Sequence, residues 1–453
     1  MESYKDVREL LGKKITCGCG RTHETVFSRL IMERGALLKL PELLGELGVK
    51  RPFVLSDTHT EEAAGARVKE ILRDTGVDFS SYVLRSPDIG DLAADEKTFG
   101  TAALAMDPKA DLVISVGTGT LNDTGRYLSY LAKIPFILVL TAPSMDGVTS
   151  NVAPLIFNNL KVTFQAHAPL ALVCDLDILM ASPIRMIAAG VGDIFAKYNC
   201  LTDWKLSNIL NGEYYCDFIA GLMREAVRQT VESTDGLLER REDAIAKLTG
   251  ALALAGVAMD FAKISRPASG AEHHLSHYWE MQYLFDGRPA VLHGTKVGIA
   301  TIMTLDLYNR LAESEKPDFE ALRKSISERQ NREEWCAEIR RTYRAAAESV
   351  IALEEEARKN DPAELLKRLD SIEAHWDEII ALAASVPKAS EIDAKLRKMD
   401  APRRPKDIGL SREYVHDAVR YAKELRPRYT VLQLLWDIGR LDQEADRITE
   451  KYC

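Results

Sequence analysis

Residues 111–143 read DLVISVGTGTLNDTGRYLSYLAKIPFILVLTAP. The stretch begins with a short apolar run, DLVISVG, which is typical of a buried strand. TLNDTGRYLSYLAK follows with helical character, and PFILVLTAP is a second, almost continuously apolar strand. Two buried strands joined by a helix pair in parallel through a right-handed crossover. This unit therefore predicts a parallel α/β sheet.

The same alternation of strands and helices continues on both sides of this stretch. It starts with the strand-like PFVLSD at residues 52–57 and ends with ALVCDLD at residues 171–177. Pro183 then opens a long helical stretch, and the pattern stays helical to the end of the chain. We therefore predict an α/β domain with a doubly wound parallel sheet over residues 1–180, followed by an all-helical domain over residues 181–453.

The turn VGTGTLND follows one predicted strand and opens a helix. Gly117 and Gly119 let the backbone bend tightly and approach a ligand, and the N-terminus of the following helix offers N–H groups to a phosphate. The turn lacks the GxGxxG spacing, and a plain strand–helix turn explains it equally well. Asp57, at the end of an upstream strand, is expected either to bind an adenosine ribose or to cap the next helix.

Histidines are concentrated in one part of the predicted helical domain, where four of the nine fall within residues 273–293. His273 and His277 are four positions apart, so a helix places both on one face. Asp193 lies among small and apolar residues, where a buried carboxylate requires a partner or a cation. One carboxylate with two histidines is a recognised ligand set, so Asp193, His273 and His293 are predicted to bind Zn, Ni or Fe. The alternative is a pair of satisfied histidines in a polar helix groove.

The segment TCGCGRTHE near the N-terminus contains Cys17, Cys19 and His23. Their spacing is compatible with zinc, but a fourth ligand is not evident in the pattern and CxC is not a common structural-zinc pair. A plain turn that joins two short strands is therefore the favoured interpretation.

Composition and charge restrict the classes of protein to which this chain can belong. The formal net charge of −9 argues against nucleic acid or an anionic membrane as the main partner. No run approaches the roughly 18 apolar residues of a membrane span, and MESYKDVREL lacks the apolar core of a signal peptide. Scattered single cysteines suit a reducing compartment. These features predict a cytoplasmic protein without a membrane span.

Several segments together resemble a known family. They are VISVGTGTLNDTGRY, TAPSMDGVTSNVAPL, MIAAGVGDIFAKYNCLTDWKLSN, SGAEHHLSHYWEM and LHGTKVGIAT, and with CGCGRTH and ELRPRYTVLQLLWDIG the resemblance covers nearly the whole chain. The sequence resembles the bacterial sn-glycerol-1-phosphate dehydrogenases, within the superfamily of iron-containing alcohol dehydrogenases and dehydroquinate synthases. The resemblance implies a dinucleotide-binding α/β domain, an all-helical metal- and substrate-binding domain, and a homodimer.

The resemblance also implies roles for individual residues. It makes Asp193, His273 and His293 the metal ligands. It brings Asp146 and His277 to the substrate as catalytic residues, with Asp193 touching both metal and substrate. The implied contacts to NAD(H) or NADP(H) come from nine residues: Asp57, Gly117, Thr118, Gly119, Thr120, Asp123, Thr141, Ser144 and Ser150. Thr118 stands where many superfamily members carry another glycine.

The implied activity is the reversible reduction of dihydroxyacetone phosphate to sn-glycerol 1-phosphate. The metal supplies Lewis-acid polarisation of the ketone, the cofactor supplies hydride, and His277 supplies or relays a proton. Asp57 is expected to favour NAD(H), because a carboxylate repels a 2′-phosphate. A glycerol or other alcohol dehydrogenase and a non-catalytic nucleotide-binding relative stay open as alternatives. Lys197, His274 and Lys296 are cationic candidates for a substrate phosphate pocket.

Overall fold

The computed structural model describes residues 6–86, 92–158, 160–326 and 331–453. The chain divides into two compact units. Unit 1 contains Met1–Ile194, Asp217–Pro267 and Leu292–Gly294. Unit 2 contains Phe195–Cys216, Ala268–Val291 and Thr295–Cys453.

A parallel sheet of six strands forms the centre of unit 1. The strands of the described chain, numbered β1 to β10, are Ile15–Thr16, Thr22–His23, Arg29–Glu33, Pro52–Asp57, Ser80–Leu84, Leu112–Gly117, Phe136–Leu140, Val152–Phe157, Leu160–Gln165 and Ala171–Asp175. The order in the sheet is β3-β10-β7-β6-β4-β5, with parallel pairing throughout. The predicted α/β fold with a parallel sheet is confirmed.

Continuous apolar runs place the central strands inside the protein. Each of β4, β6, β7 and β10 is buried along its whole length, as expected for a parallel sheet covered on both faces. Val54, Ile114 and Val139 from this sheet pack in one core with Leu40 and Leu72 from helices beside it. Burial of these strands is the main stabilising contribution to the sheet.

Helices connect the strands where the sequence predicts them. Those of unit 1 up to the last strand, numbered α1 to α5, are Leu40–Glu46, Thr58–Thr60, Ala66–Asp74, Glu96–Ala105 and Gly119–Ala132. Residues Glu61–Gly65 join α2 to α3 through one wide helical turn. Asp95 caps α4 by accepting a hydrogen bond from the Thr98 N–H at 2.7 Å.

The remaining chain is helical, and every strand in the described part precedes Leu176. The helices α6 to α21 are Leu176–Ala181, Ile184–Phe195, Lys197–Asn211, Asp217–Leu238, Glu242–Ala262, Ala271–Phe285, His293–Ala312, Phe319–Lys324, Arg332–Tyr343, Ala347–Ala357, Pro362–Ala374, Trp376–Ala384, Ala389–Lys398, Arg412–Tyr421, Val431–Asp437 and Leu441–Tyr452. The change from mixed to helical structure thus falls at the predicted place. A domain boundary at residue 180 stays a prediction, since unit 1 also includes later helices.

An antiparallel hairpin, β8 with β9, was absent from the sequence prediction. It occupies Val152–Phe157 and Leu160–Gln165. Its core residues Ala153 and Leu155 are buried against Phe164. The sequence pattern does not predict β8 because Pro154 lies inside this strand.

Helix α10 is long and apolar. Over the described residues, Glu242–Ala262 is the helix that satisfies the length and composition of a membrane span, and 83% of its most apolar window is buried inside the protein. Its buried residues include Leu252 and Val257, and its Gly256 lies against Thr149. The helix therefore has the burial of a core element of unit 1.

Two glycines let α7 and the start of α12 pack tightly in unit 1. A Cβ on Gly190 would lie 2.0 Å from the carbonyl oxygen of Pro143. A Cβ on Gly294 would lie 2.0 Å from the carbonyl oxygen of Ala189. Both neighbouring atoms are backbone carbonyl oxygens, so a shift that made room for a Cβ would cost packing energy. The loop that begins at Thr141 is thus held directly against α7.

We predict that Gly190→Ala lowers the free energy of unfolding by about 1–3 kcal/mol, because the added methyl group collides with the Pro143 carbonyl. Gly250→Ala is the matched control, since in the described part of the chain no atom outside its own helix turn lies within 4 Å of where its methyl group would be. That helical substitution is expected to be neutral or stabilising by up to about 1 kcal/mol. Urea unfolding measures both changes. Equal stabilities for the two variants would contradict the tight packing.

Candidate active site

The carboxyl ends of the sheet strands gather the predicted nucleotide-binding residues in unit 1. Strand β4 ends at Asp57, and the adjacent β6 ends at Gly117. The chain goes from β4 outward to β5 and then returns to β6 on the other side of β4. Such a reversal of strand order opens a crevice where α/β sheets bind ligands. Thr141 follows β7 at the same edge, and its N–H donates to the Gly117 carbonyl at 3.2 Å.

Asp57 caps the helix that follows β4. Its Oδ1 accepts a hydrogen bond from the Thr60 N–H at 2.8 Å, and the Asp57 N–H donates to the Thr60 hydroxyl at 2.8 Å. This reciprocal pair is a capping box. The structure therefore shows the capping role that the sequence left open. The cap also fixes the carboxylate at the mouth of the crevice.

The glycine-rich turn brings the backbone of α5 to the same edge. A Cβ on Gly117 would lie 2.7 Å from the Cβ of Leu121. Outside the helix's own backbone, no described atom lies within 4 Å of where a Cβ on Gly119 would be. The hydroxyl groups of Thr118 and Ser144 lie 2.8 Å apart in a hydrogen bond. The Thr120 hydroxyl donates to the Leu92 carbonyl at 2.7 Å. The N-terminus of α5 is therefore accessible for a phosphate.

Arg126 is a residue that the sequence prediction missed. It lies on α5, is completely buried, and donates to the carbonyl oxygens of Gly147 at 2.6 Å, Val148 at 3.1 Å and Val152 at 2.6 Å. Burial lowers its pKa to about 10, and the nearby carboxylate of Asp123 opposes that shift. The guanidinium is therefore charged at neutral pH. It ties the loop after β7 to the helix that carries the glycine-rich turn.

Within that loop, the hydroxyl group of Ser150 makes hydrogen bonds that hold the loop in place. Its hydroxyl donates to the Val152 carbonyl at 3.2 Å, and it accepts from Arg126 at 3.4 Å. Thr149, its neighbour, donates to the Ala253 carbonyl of α10 at 2.8 Å. These bonds fix the position of the loop on the rest of unit 1.

Asp193 is completely buried on α7. Its Oδ2 accepts a hydrogen bond from the Asp146 N–H at 2.9 Å. A carboxylate oxygen of Asp193 and a ring nitrogen of His293, which begins α12, lie within 4.8 Å of each other. Unit 1 thus brings together a carboxylate and an imidazole that the sequence placed 100 positions apart. Oxygen and nitrogen donors at this separation suit a divalent transition metal.

Unit 2 presents His273 and His277 on one face of α11, as predicted. The two ring centroids are 6.0 Å apart. Nδ1 of His273 lies 2.7 Å from Oε1 of the buried Glu272, which also accepts the Gly270 N–H at 2.8 Å. Burial raises the pKa of Glu272 to about 8, with the charge of Asp203 as the second cause.

Asp203 is another residue that the sequence prediction missed. It is buried on α8, and its Oδ2 accepts the Ala271 N–H at 2.7 Å, at the start of α11. Its Oδ1 accepts from the Tyr308 hydroxyl at 2.5 Å and the Val431 N–H at 2.7 Å. Three segments distant in sequence thus meet on one carboxylate. Asp203 fixes the N-terminus of the helix that carries the histidines.

Glu280 links two of the predicted substrate-contacting side chains in unit 2. Its Oε2 lies 3.4 Å from His277 Nδ1, and its Oε1 lies 3.5 Å from the Nζ of the buried Lys296. Lys197 is also buried and donates to the Ala268 carbonyl at 3.3 Å. His274 is completely buried on the same helix as His277. All three cationic candidates for a phosphate pocket therefore belong to unit 2.

The fold and part of the sequence match known proteins. Residues 31–183 match the family described as iron-containing alcohol dehydrogenase. The fold is similar to the crystal structure of glycerol dehydrogenase from Schizosaccharomyces pombe, with a TM-score of 0.59 and 14% identity over 93% of this chain and 91% of that chain. This chain therefore shares its fold with that glycerol dehydrogenase, and residues 31–183 carry the profile of the iron-containing alcohol dehydrogenase family.

Curated relatives identify the family to which this chain belongs more precisely. The chain is 34% identical over 420 residues to the glycerol-1-phosphate dehydrogenase (NAD(P)+) of Halalkalibacterium halodurans, which covers 92% of this chain and 95% of the relative. It is 34% identical over 437 residues to the enzyme of the same name from Bacillus licheniformis, with 96% and 94% covered. The chain belongs to the glycerol-1-phosphate dehydrogenase family, and the resemblance inferred from the sequence is confirmed.

We predict that Arg126→Met lowers the free energy of unfolding by about 3–5 kcal/mol, because three carbonyl oxygens lose the charged donor of a completely buried side chain. Arg67→Met is the control, since Arg67 is half exposed and pairs with Glu70 one turn away on its own helix. The control is expected to change stability by less than about 0.5 kcal/mol. Urea unfolding of both variants provides the comparison. A loss below about 1 kcal/mol for Arg126→Met would refute its anchoring role.

Proposed function

We propose that this chain catalyses the reversible, NAD(P)H-linked reduction of dihydroxyacetone phosphate to sn-glycerol 1-phosphate. The observation that carries the proposal is the Asp193–His293 donor pair beneath the loop that follows β7. The pair lies on the same unit as the crevice between β4 and β6. Membership of the glycerol-1-phosphate dehydrogenase family supplies the substrate class.

The nucleotide is proposed to bind at the carboxyl edge of the sheet, where its cofactor chemistry supplies hydride. Backbone N–H groups at the start of α5 would receive the pyrophosphate, and the capped Asp57 would receive the adenosine ribose. The contacts are proposed for the nine residues predicted from the resemblance: Asp57, Gly117, Thr118, Gly119, Thr120, Asp123, Thr141, Ser144 and Ser150. A carboxylate at Asp57 favours NADH over NADPH, because it repels a 2′-phosphate.

Asp193, His273 and His293 are proposed to hold one divalent metal ion, either Zn, Ni or Fe. The residues fit such a group, because unit 1 supplies a buried carboxylate close to an imidazole. His273 engages the buried Glu272 through Nδ1, and a carboxylate on one ring nitrogen is a usual support of a metal-binding histidine. When bound, such an ion supplies Lewis-acid polarisation of a ketone oxygen.

The chain's own residues are proposed to orient the substrate and supply the proton. The Asp146 N–H fixes Asp193, and the Asp146 side chain is assigned to substrate contact. His277 is assigned as the proton donor, with Glu280 at its Nδ1 setting the ring orientation. Lys296, beside the same Glu280, is the cation assigned to the substrate phosphate. A homodimer in the cytoplasm completes the proposal on the strength of the resemblance.

The deciding assay measures NADH oxidation by protein that has been chelated and reconstituted with Zn, Ni or Fe. Dihydroxyacetone phosphate and dihydroxyacetone are offered in parallel, and each is repeated with NADPH. We expect metal-dependent turnover of the phosphorylated ketone, a product of sn-1 configuration, and faster turnover with NADH. Preference for the unphosphorylated ketone would make the protein a glycerol dehydrogenase. Nucleotide binding without turnover of either ketone would make it a non-catalytic relative.

His277→Ala is predicted to lower kcat by about 100-fold or more, because the reduction loses its proton donor. Metal content, determined by mass spectrometry of the desalted protein, is expected to stay unchanged. His416→Ala is the control, since His416 pairs with Asp446 on the protein surface and should leave kcat intact. Parallel loss of metal and turnover in His277→Ala would move His277 from proton donor to metal-site support.

A further inference from the structure

The N-terminal hairpin of unit 1 concentrates two thiols and an imidazole at one point. Strands β1 and β2 pair antiparallel, with Ile15 opposite His23. The turn between them closes through the Cys17 N–H donating to the Arg21 carbonyl at 3.0 Å. The structure thus confirms the predicted turn that joins two short strands. It also folds Cys19 back toward His23.

The donor atoms of the hairpin have the spacing of metal ligands. The sulfur atoms of Cys17 and Cys19 and a ring nitrogen of His23 all lie within 4.8 Å of one another. Sγ of Cys19 is 3.4 Å from Nε2 of His23. A sulfur and a nitrogen that share one tetrahedral zinc ion lie about 3.5 Å apart. The hairpin therefore needs little rearrangement to enclose an ion.

The surroundings of His23 prepare its Nε2 as a ligand. The ring is completely buried and stacks with Phe218 and Phe261, with ring centroids 5.9 and 5.6 Å away. Nδ1 lies 3.2 Å from the Phe261 carbonyl oxygen, which can only accept a hydrogen bond. Nδ1 therefore carries the proton, and the lone pair of Nε2 faces Cys19. A backbone carbonyl on the other nitrogen is the usual support of a metal-binding histidine.

We propose that Cys17, Cys19 and His23 bind a zinc ion that fastens the N-terminal hairpin to helices α9 and α10 of unit 1. Binding displaces the protons of the two thiols and leaves both cysteines as thiolates. Thiolate ligands select zinc over the harder divalent cations. The proposed site has sulfur ligands, whereas the site assigned to ketone reduction has none, and this difference makes the two separable by spectroscopy.

The test uses the full-length protein, reduced, stripped with a chelator and reloaded with cobalt(II) in place of zinc. We expect a thiolate-to-cobalt charge-transfer band in the wild type. The band should be lost in Cys17→Ser and Cys19→Ser, and retained in His293→Ala. Cys336→Ser is the matched control, since Cys336 is a partly exposed cysteine on α14 and should keep the band. Circular dichroism verifies that each variant is folded.

Metal analysis of the zinc-loaded protein provides the second measurement. Zinc content is expected to fall by about one ion per chain in Cys17→Ser and Cys19→Ser, and to stay unchanged in Cys336→Ser. The proposal is overturned if the reduced wild type shows no charge-transfer band, or if the band and the zinc survive in the Cys17→Ser, Cys19→Ser double variant.

Discussion

The hydrogen bond from the Asp146 N–H to the buried carboxylate of Asp193 connects the two parts of unit 1 on which the proposed chemistry depends. One part is the loop after β7, and the other is helix α7. A buried carboxylate is costly unless it is hydrogen-bonded and balanced by positive charge. Asp193 therefore fixes the loop and, in the proposed function, also binds the cation that balances its charge.

Other contacts of unit 1 support the same loop from the sides. Arg126 binds the carbonyl groups of Gly147 and Val148 in the loop and that of Val152 at the start of β8. Gly190 allows the Pro143 carbonyl to approach α7 closely. The loop is therefore held by the Arg126 guanidinium from α5 and by a close backbone contact and a carboxylate from α7. Such support keeps site residues in position before a ligand arrives, which lowers the cost of binding. In unit 2, Asp203 performs the corresponding task for the start of α11.

The sequence predicted the features that depend on local pattern. The buried strands, the connecting helices, the turn after β6 and the shared face of His273 and His277 all follow from periodicity. Asp203 and Arg126 were missed because their partners lie elsewhere in the chain; Asp203, for instance, meets Val431. The hairpin β8–β9 was missed because Pro154 interrupts its pattern. For Cys17 and Cys19, spacing alone favoured a plain turn, and only the fold showed their sulfur atoms close to His23.

The proposed function depends on Asp193 and His293 binding one metal ion together with His273. Anomalous diffraction at the zinc absorption edge, recorded from crystals of the zinc-loaded protein, tests this most directly. We expect a peak about 2.0–2.2 Å from a carboxylate oxygen of Asp193 and from a ring nitrogen of each histidine. Active, zinc-containing crystals without a peak at these three residues would contradict it.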